Sequence, residues 1–214
     1  IVLSKLCPPE LVEGRHTPIS HKESKVMEKK VRILKKKIFI HATDTCYGFA
    51  CRFNDKESIE KIMKLKKREN SKAFSLLFSD FKMLEKYCHV NKEQKDFVQK
   101  QKDPSSFILK KKALLSEYFP KLDTVSIRLE NNNFPVKLSS KLQCPVISTS
   151  ANISGKKPLY TSNEVKEVFC NKTNNEELIF IDSGDLKIIP PSTIWDLTKI
   201  KYKTIRNSKK DLTQ

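Results

Sequence analysis

Two basic residues, Lys66 and Arg68, stand two positions apart in this sequence, and Lys72 follows them closely. An arginine presents a planar fork of donors and a lysine a compact charge, so the group could bind a carboxylate or a phosphate. In an extended segment, residues two apart project to the same side, which would aim both cations at one ligand. The alternative is that the cations only complement the dipole at the end of the preceding helix, and the group alone favours this alternative.

A second polar group follows an apolar run in the stretch CPVISTSANISG, residues 144–155. Val146 and Ile147 predict a buried strand, and hydroxyl or amide side chains then follow at nearly every position. A plain turn uses one or two such residues. The stretch is therefore either an elaborate loop or part of a site that holds something polar.

Two shorter groups have the same ambiguity. The stretch TDTCYG at 43–48 crowds two threonines, an aspartate and a tyrosine at the end of a predicted strand. Ser192 and Thr193 follow two prolines and begin another predicted strand. Each group is either an ordinary turn or part of a binding site.

Glycine-based nucleotide motifs are absent from the sequence. It has neither G-x-x-x-x-G-K nor G-x-G-x-x-G, and it lacks the G-x-S-x-G elbow of many hydrolases. With 4 glycines in all, a glycine-rich phosphate loop is excluded. If the protein binds an anion, side chains must supply much of the binding.

The chain of 214 residues carries a formal net charge of +17, which favours nucleic acid, nucleotides or acidic partners. Its lysines are scattered, however, which is more typical of solvated faces. The 6 cysteines form no Cys-x-x-Cys pair and the 4 histidines no zinc spacing, so reduced, mostly buried thiols are expected. No apolar run reaches the length of a membrane span and no signal peptide is evident, which predicts a cytoplasmic protein without a membrane partner.

Strands and helices alternate along the chain, which predicts an α/β fold built on a mixed sheet. Residues 1–23 predict a flexible lead-in and residues 24–214 a single domain. A helix is expected to begin after Asn54 or Asp55, either of which could cap it. The other helices are expected at 26–34, 81–90, 92–102, 134–142 and 161–169, with a short helix or loop at 114–119. Strands are expected within 43–55 and at 37–43, 74–78, 106–112, 124–130, 145–150, 177–184, 192–198 and 202–208.

Taken together and in order, the polar stretches resemble the YrdC/Sua5 family of threonylcarbamoyl-AMP synthases. The resemblance rests first on HATDTCYGFA, similar to P-T-D-T-V-Y-G-L, and on KLKKRENSKAFSLL, similar to L-K-x-R-x-x-x-K-P-L/F-S-L-L. It continues with TVSIRLE, similar to T-V-x-I-R-x-P, and CPVISTSANISGKKP, similar to P-x-x-S-T-S-A-N-x-S-G-x-x-P. It ends with PPSTIWDLT, similar to P-S-T-V-V-D-L, and runs from about residue 28 to 207.

The resemblance implies a twisted, mixed α/β sheet with flanking helices, curled around a large basic cavity, in a short form without the C-terminal domain of longer members. It implies a nucleotidyltransferase that condenses L-threonine, bicarbonate and ATP into threonylcarbamoyl-AMP and pyrophosphate, with Mg²⁺ accompanying ATP. A separate tRNA-modifying transferase complex would use the product to make threonylcarbamoyladenosine in tRNA. No covalent enzyme intermediate is needed, so catalysis is expected to rest on positioning and charge neutralisation.

By position in the motifs, Lys66 and Arg68 are the expected catalytic residues, acting on triphosphate and bicarbonate-derived oxygens. Thr43, Thr45 and Tyr47 would form the threonine side of the site. No metal ligand from the protein is expected. The other expected substrate- and nucleotide-binding residues are Lys72, Ser106, Arg128, Ser148, Ser150, Asn152, Ser192, Thr193 and Arg206.

Several prolines of the family motifs are replaced, by Ala42, Ala73 and Glu130 among others, which frees backbone angles that proline would fix. Glu130 would also bring negative charge close to an anion site if it points inward. A rival interpretation is a YrdC-like protein that binds tRNA, rRNA or double-stranded RNA through its basic surface without synthase activity. The charge supports it, but no aromatic stacking motif for RNA is present. A third is a relic with an eroded site, which the retained ligand residues disfavour.

Overall fold

A nine-stranded mixed sheet organises the protein, in the order β7-β1-β2-β6-β3-β5-β4-β8-β9. The pairs β1–β7, β3–β5 and β4–β8 are parallel and the others antiparallel. The strands are β1 (Ile38–Ala42), β2 (Tyr47–Arg52), β3 (Ser75–Phe78), β4 (Ser105–Lys110), β5 (Thr124–Leu129), β6 (Val146–Ser150), β7 (Leu178–Phe180), β8 (Thr193–Asp196) and β9 (Lys203–Arg206). The predicted α/β class and mixed sheet are confirmed.

This computed structural model describes residues 36–68, 74–119, 122–130, 133–171 and 178–207. The predicted lead-in at 1–23, the predicted helix at 26–34 and Lys72 lie outside the described residues. Within those ranges, no helix is long and apolar enough to cross a membrane.

Helices flank the sheet, and side-chain caps fix where several of them begin. The Asp55 carboxylate accepts from the backbone N–H of Ser58 at 3.2 Å, so Asp55 is the cap of α1. Thr161 caps α6 in the same way, accepting from Glu164 N–H at 3.2 Å. The helices are α1 (Lys56–Leu65), α2 (Phe81–Tyr87), α3 (Lys92–Lys100), α4 (Ala113–Ser116), α5 (Phe134–Leu142) and α6 (Ser162–Val165), and a π-helical turn (Lys166–Cys170) continues α6.

The central strands bury consecutive positions, because side chains alternate between two faces of the sheet and both faces are covered. Phe49 on β2 packs edge-on against Phe169 of the π-helical turn, with ring centroids 4.9 Å apart. Phe39 on β1 meets Phe134 of α5 at 5.3 Å on the other face. Helices therefore cover both faces near β1 and β2.

Polar side chains cross the middle of the sheet on one face. The register places Ser148 of β6 beside Ser75 of β3, and Ser75 beside Ser126 of β5. The hydroxyls of Ser75 and Ser126 lie 2.8 Å apart. Continuing this face across β5, β4 and β8 brings Arg128 and Ser106 to the same side, because their positions share its parity.

Three expectations differ from the structure. The helix predicted at 81–90 ends at Tyr87, because Cys88 turns extended and pairs with Lys111. The helix predicted at 161–169 widens into the π-helical turn after Val165. The predicted large basic cavity is not shown by the described residues. A cleft of about 490 Å³ lies away from the predicted site, between α3, the end of β4 and the chain after β8.

Candidate functional site

The Lys66 ammonium lies against the loop that follows β6. Its Nζ donates to the Ser150 carbonyl, to the Asn152 carbonyl at 3.0 Å and to Asn152 Oδ1 at 3.3 Å. The Ser154 N–H returns a bond to the Lys66 carbonyl at 2.7 Å. Ser150 Oγ also donates to Asn152 Oδ1 at 2.6 Å. The structure therefore brings Lys66 together with Ser150 and Asn152, which the sequence predicted as parts of one site although Lys66 is 84 positions away from Ser150 in the chain.

A tight turn at the end of α1, rather than an extended segment, places Lys66 and Arg68 together. Lys67 has a φ of 48°, in the left-handed region, and Arg68 N–H reaches back to the Met63 carbonyl at 2.9 Å. The geometry assumed from the two-residue spacing is therefore wrong. The left-handed residue after a helix reverses the chain, and this reversal turns both cations toward β6.

Arg68 lies beside the same strand. Its Nη1 donates to Thr149 Oγ1 at 3.5 Å, and its guanidinium carbon stands 4.7 Å from the ring centroid of Phe74. An aromatic face can hold a guanidinium in place through a cation–π contact. The Lys66 ammonium does more than complement the dipole at the end of α1, because it donates hydrogen bonds to the Ser150 and Asn152 carbonyls.

Burial changes the acidity of these cations. Lys66 is 2% exposed, and burial lowers the pKa of its ammonium to about 8, with a further contribution from Arg68. Burial also lowers the pKa of Arg68. Among the described residues, the acceptors of the Lys66 ammonium are neutral carbonyl and amide oxygens, so its positive charge is solvated by the protein but not neutralised. An anion entering beside it would meet an uncompensated cation.

The turn between β1 and β2 holds the threonine pair. Thr43 Oγ1 donates to the Cys46 carbonyl at 2.8 Å and lies 3.1 Å from Thr45 Oγ1. The N–H groups of Thr45 and Cys46 donate back to Thr43 Oγ1 at 3.1 and 3.2 Å. Thr43 thus organises the turn, in the manner of the ordinary turn considered from the sequence.

Arg128 joins this turn to the middle of the sheet. The Arg128 side chain is 10% exposed, its Nη2 donates to Asp44 Oδ1, and its Nε lies 2.7 Å from Glu130 Oε1. Glu130 does point inward, with 3% of its side chain exposed. Arg128 therefore contacts two carboxylates and carries little net charge toward a ligand, whereas the hydrogen-bond acceptors of Lys66 among the described residues are neutral.

The two regions adjoin at Cys46. Burial raises the pKa of its thiol, while the positive charges of Arg128 and Lys66 both act on it in the opposite direction. The β2–β6 register pairs Gly48 with Ser150, so the turn before β2 and the loop after β6 lie at the same end of neighbouring strands. The Lys66 group and the Arg128 group are adjacent parts of one polar region.

Ser106, Ser192 and Arg206 form a third cluster at β4, β8 and β9. The hydroxyls of Ser106 and Ser192 lie 3.2 Å apart. Arg206 donates through Nε and Nη2 to the Ser192 carbonyl at 2.9 and 2.7 Å, and through Nη2 to Ser192 Oγ at 3.2 Å. Thr193 is buried beside them and its N–H donates to the Pro104 carbonyl at 2.9 Å.

Two predicted residues, Tyr47 and Ser148, form their side-chain or strand contacts outside these clusters in the part of the chain that the structure describes. The Tyr47 hydroxyl donates to the Gly184 carbonyl at 2.7 Å, lies 3.2 Å from Ser162 Oγ and accepts from Ser183 N–H at 3.0 Å. Tyr47 is fully buried, so its side chain anchors the chain after β7. Ser148 is also buried. It lies two residues before Ser150 on β6 and pairs with Ser75 on the neighbouring strand β3.

Sequence reasoning did not list Asp44, Thr149 or Glu130 among the site residues, although each contacts one that it listed. Asp44 and Thr149 lie inside the polar stretches TDTCYG and CPVISTSANISG, and Glu130 was noted as a charge that could point inward, but their partners depend on which strands become neighbours. Within the described ranges no group of three or more His, Cys, Asp or Glu side chains is arranged to hold a metal ion.

Comparison with known proteins places this geometry in a family. The Sua5/YciO/YrdC family model, described as "Telomere recombination", matches residues 32–208. A Methanocaldococcus jannaschii protein, provisionally named threonylcarbamoyl-AMP synthase, is 34% identical over 178 residues, 83% of this chain and 82% of its own length. The threonylcarbamoyl-AMP synthase of Buchnera aphidicola is 31% identical over 165 residues, 70% of this chain and 94% of its own.

A solved structure shows the same fold. Sua5 of Pyrococcus abyssi, complexed with L-threonine, superposes with a TM-score of 0.71 at 27% sequence identity. The match covers 84% of this chain and 54% of that protein, so this chain spans about half of the longer relative. The family model, the relatives and the fold agree, and the chain belongs to the Sua5/YciO/YrdC family.

Proposed function

We propose that the protein is an L-threonylcarbamoyl-AMP synthase, which condenses L-threonine, bicarbonate and ATP and releases pyrophosphate. The observation that carries the proposal is the meeting of Lys66 and Arg68 with the loop after β6. Two cations there lie beside uncharged groups that form hydrogen bonds of defined direction. Such a combination could bind a polyanion although the sequence has no glycine-rich phosphate loop. The synthase names of the relatives and the L-threonine bound to Pyrococcus abyssi Sua5 support the same conclusion.

The chemistry needs charge neutralisation more than a nucleophile from the protein. The threonine amine takes up the carbon of bicarbonate to give a carbamate, with loss of water. A carbamate oxygen then attacks the α-phosphate of ATP, and the bond to pyrophosphate breaks. Lys66 and Arg68 would offset the charge that grows on the phosphate oxygens, and Ser150 and Asn152 would orient them.

Arg128 and Asp44 suit the amino-acid end of the substrates. A guanidinium beside a carboxylate complements a zwitterion, which carries a carboxylate and an ammonium on one carbon. Thr43 and Thr45, in the adjoining turn, would add uncharged contacts. Ser106, Ser192 and Arg206 would contact the nucleotide.

Mg²⁺ would enter with the nucleotide. A hard, octahedral cation of this kind is commonly held by substrate phosphates and water with few protein ligands. Such a site requires no cage of protein carboxylates. When bound, Mg²⁺ would supply further neutralisation of the triphosphate.

The decisive experiment incubates the protein with ATP, L-threonine, bicarbonate and Mg²⁺ and measures pyrophosphate together with the adenylate product. Product formation that requires all three substrates is the expected result. The variants Lys66→Ala and Arg68→Ala are expected to lower kcat/KM by roughly 100-fold or more, the loss typical of removing a transition-state charge partner.

The matched control is Lys64→Ala, which removes an exposed lysine from the last turn of α1 and is expected to retain activity. Full activity of Lys66→Ala would contradict the site assignment while leaving the synthase activity standing. Tight binding of RNA with no product under any substrate combination would instead favour the RNA-binding alternative. Transfer of the product to tRNA by a separate complex is part of the proposal and needs that complex to test.

A further inference from the structure

Glu130 is a buried carboxylate at the end of β5, in the position where the family motif has proline. Its Oε1 lies 2.7 Å from Arg128 Nε, and its Oε2 accepts from Asn133 Nδ2. Asn133 is the cap of α5, with its Oδ1 accepting from Val136 N–H at 3.3 Å. The two carboxylate oxygens of Glu130 therefore contact Arg128 on β5 and Asn133 at the start of α5.

Arg128 is paired with two carboxylates of different exposure. The Asp44 side chain is 31% exposed and lies on the Thr43–Cys46 turn, whereas the Glu130 side chain is 3% exposed. Asp44 accepts from Nη2 and Glu130 lies beside Nε, on the edge of the guanidinium that these two nitrogens share. Among the described residues Arg128 Nη1 donates no hydrogen bond, which leaves its N–H groups to donate to a ligand.

A buried carboxylate without a counterion would be strongly destabilising, so Glu130 and Arg128 depend on each other. The guanidinium is rigid and planar, so fixing Nε also fixes the directions of Nη1 and Nη2. The direction of Nη2 in turn decides where Asp44 and its turn can lie. A side chain that never touches substrate can thus set the geometry of one that does.

We propose that Glu130 is a positioning residue, which orients Arg128 so that its guanidinium holds Asp44 and keeps the Thr43–Cys46 turn in the geometry that receives the amino-acid substrate. This role rests on the proposed function for the identity of that substrate. Glu130 acts through Arg128 and leaves the Lys66 and Arg68 region unaffected.

The test measures binding of L-threonine and of ATP separately by calorimetry, without bicarbonate, so that no turnover occurs. Glu130→Gln keeps the shape of the side chain and removes its charge. It is expected to weaken L-threonine binding roughly tenfold or more and to change ATP binding less than about twofold, because misplacement of one binding group is costly. Glu57→Gln, which removes an exposed glutamate paired with Lys36 and Lys61, is the matched control and should change neither affinity.

A second measurement separates positioning from simple stabilisation. In an Asp44→Asn background, Glu130→Gln is expected to cause little additional loss of L-threonine affinity, since the contact it controls is already gone. Unchanged L-threonine affinity in Glu130→Gln, or an equal loss in both backgrounds, would overturn the proposal. Should Glu130→Gln fail to fold, Glu130→Asp carries the same test with the charge kept on a shorter side chain.

Failure of the proposed function gives a different result. If the wild-type protein binds no L-threonine, that function is wrong, and the coupling is then read from urea unfolding of the two single variants and the double variant. Non-additive shifts of the unfolding midpoint support the Glu130–Arg128–Asp44 connection, and additive shifts overturn it.

Discussion

At the scale of single residues, the lowered pKa of the Lys66 ammonium predicts that the charge of the site depends on pH. Burial lowers the pKa of its ammonium to about 8, so the charge is present at neutral pH and is lost as the pH rises through that value. Its neighbours in the loop after β6 are neutral acceptors, which orient the ammonium without replacing its charge.

We therefore expect kcat/KM for ATP to fall as the pH rises through about 8, because kcat/KM reports ionisations of the free enzyme. Lys66→Arg should move this fall to higher pH, since a guanidinium stays charged throughout the accessible range. Steady-state kinetics between pH 6.5 and 9.5 would measure it (roughly the range in which a lysine with a shifted pKa titrates). An identical profile in both proteins would assign the ionisation to another group.

His41 is expected to make the stability of the fold depend on pH. Its contribution is lost as the pH falls, whereas the charge of Lys66 is lost as the pH rises. Its ring is fully buried between the sheet and Phe134, and its Nδ1 lies 2.8 Å from the Ala42 carbonyl, so Nδ1 carries the proton. Burial lowers the pKa of His41 from 6.5 to about 4. Because the folded value lies below the unfolded one, the stabilisation is complete above about pH 6.5 and is lost as the pH falls toward 4.

The expected loss over this window is up to roughly 3 kcal/mol, at 1.4 kcal/mol for each pKa unit. His41→Phe should remove that part of the pH dependence, since phenylalanine does not titrate and can pack against Phe134. Urea unfolding at several pH values between 7 and 4.5, compared between the two proteins, measures the difference (roughly the window over which the ring would be protonated). Parallel stability curves would show that His41 is not responsible.

At the scale of elements, the meeting of β2, β6 and the Thr43 turn leaves no room for a side chain at Gly48. A Cβ there would lie 2.8 Å from Thr43 Cγ2 and 3.2 Å from the Thr149 carbonyl. The missing side chain therefore lets the turn fold close over the sheet, near Arg128 and the loop after β6.

We expect Gly48→Ala to destabilise the protein by roughly 1–3 kcal/mol, the usual cost of an overpacked contact. Adding Thr43→Ser should restore much of this loss, because serine keeps the hydroxyl that organises the turn and lacks the methyl group that clashes. Thermal or urea unfolding of the two single variants and the double variant would show the recovery. If the double variant is as unstable as the sum of the single ones, the Thr149 carbonyl is the controlling contact.

Local sequence predicted the elements better than their contacts. The strands were expected within a few residues of their observed ends, because alternation is a local signal. The start of α1 was expected at Asn54 or Asp55, because a helix cap is also a local signal. The turn at Lys67 was not expected, because lysine rarely adopts a positive φ and the contacts of Lys66 with the loop after β6 become evident only in the fold. The pairing of Arg128 with Asp44 and Glu130 likewise depends on strand order, which no local pattern encodes.

At the scale of the whole molecule, ligands should stabilise the fold, since the site draws on α1, the β1–β2 turn, β5 and the loop after β6. A ligand at 100 times its Kd adds about 2.7 kcal/mol, which would raise Tm by roughly 5–10 °C for a domain of this size. We expect such a shift with Mg²⁺ and ATP, measured by thermal denaturation. Lys66→Met should abolish it, whereas Lys64→Met, on the exposed side of α1, should keep it.

The position of β6 also bears on how the protein folds. This strand inserts between β2 and β3, which are made much earlier in the chain, and it carries the serines and the loop that Lys66 contacts. Contacts between distant segments form slowly, because the long loops they close cost entropy before the contacts repay it. Helices and the β1–β2 hairpin can form before β6 is in place, but the binding region cannot. Refolding should therefore regain secondary structure first and affinity for substrates last, and during synthesis the protein becomes functional only after most of its chain has emerged.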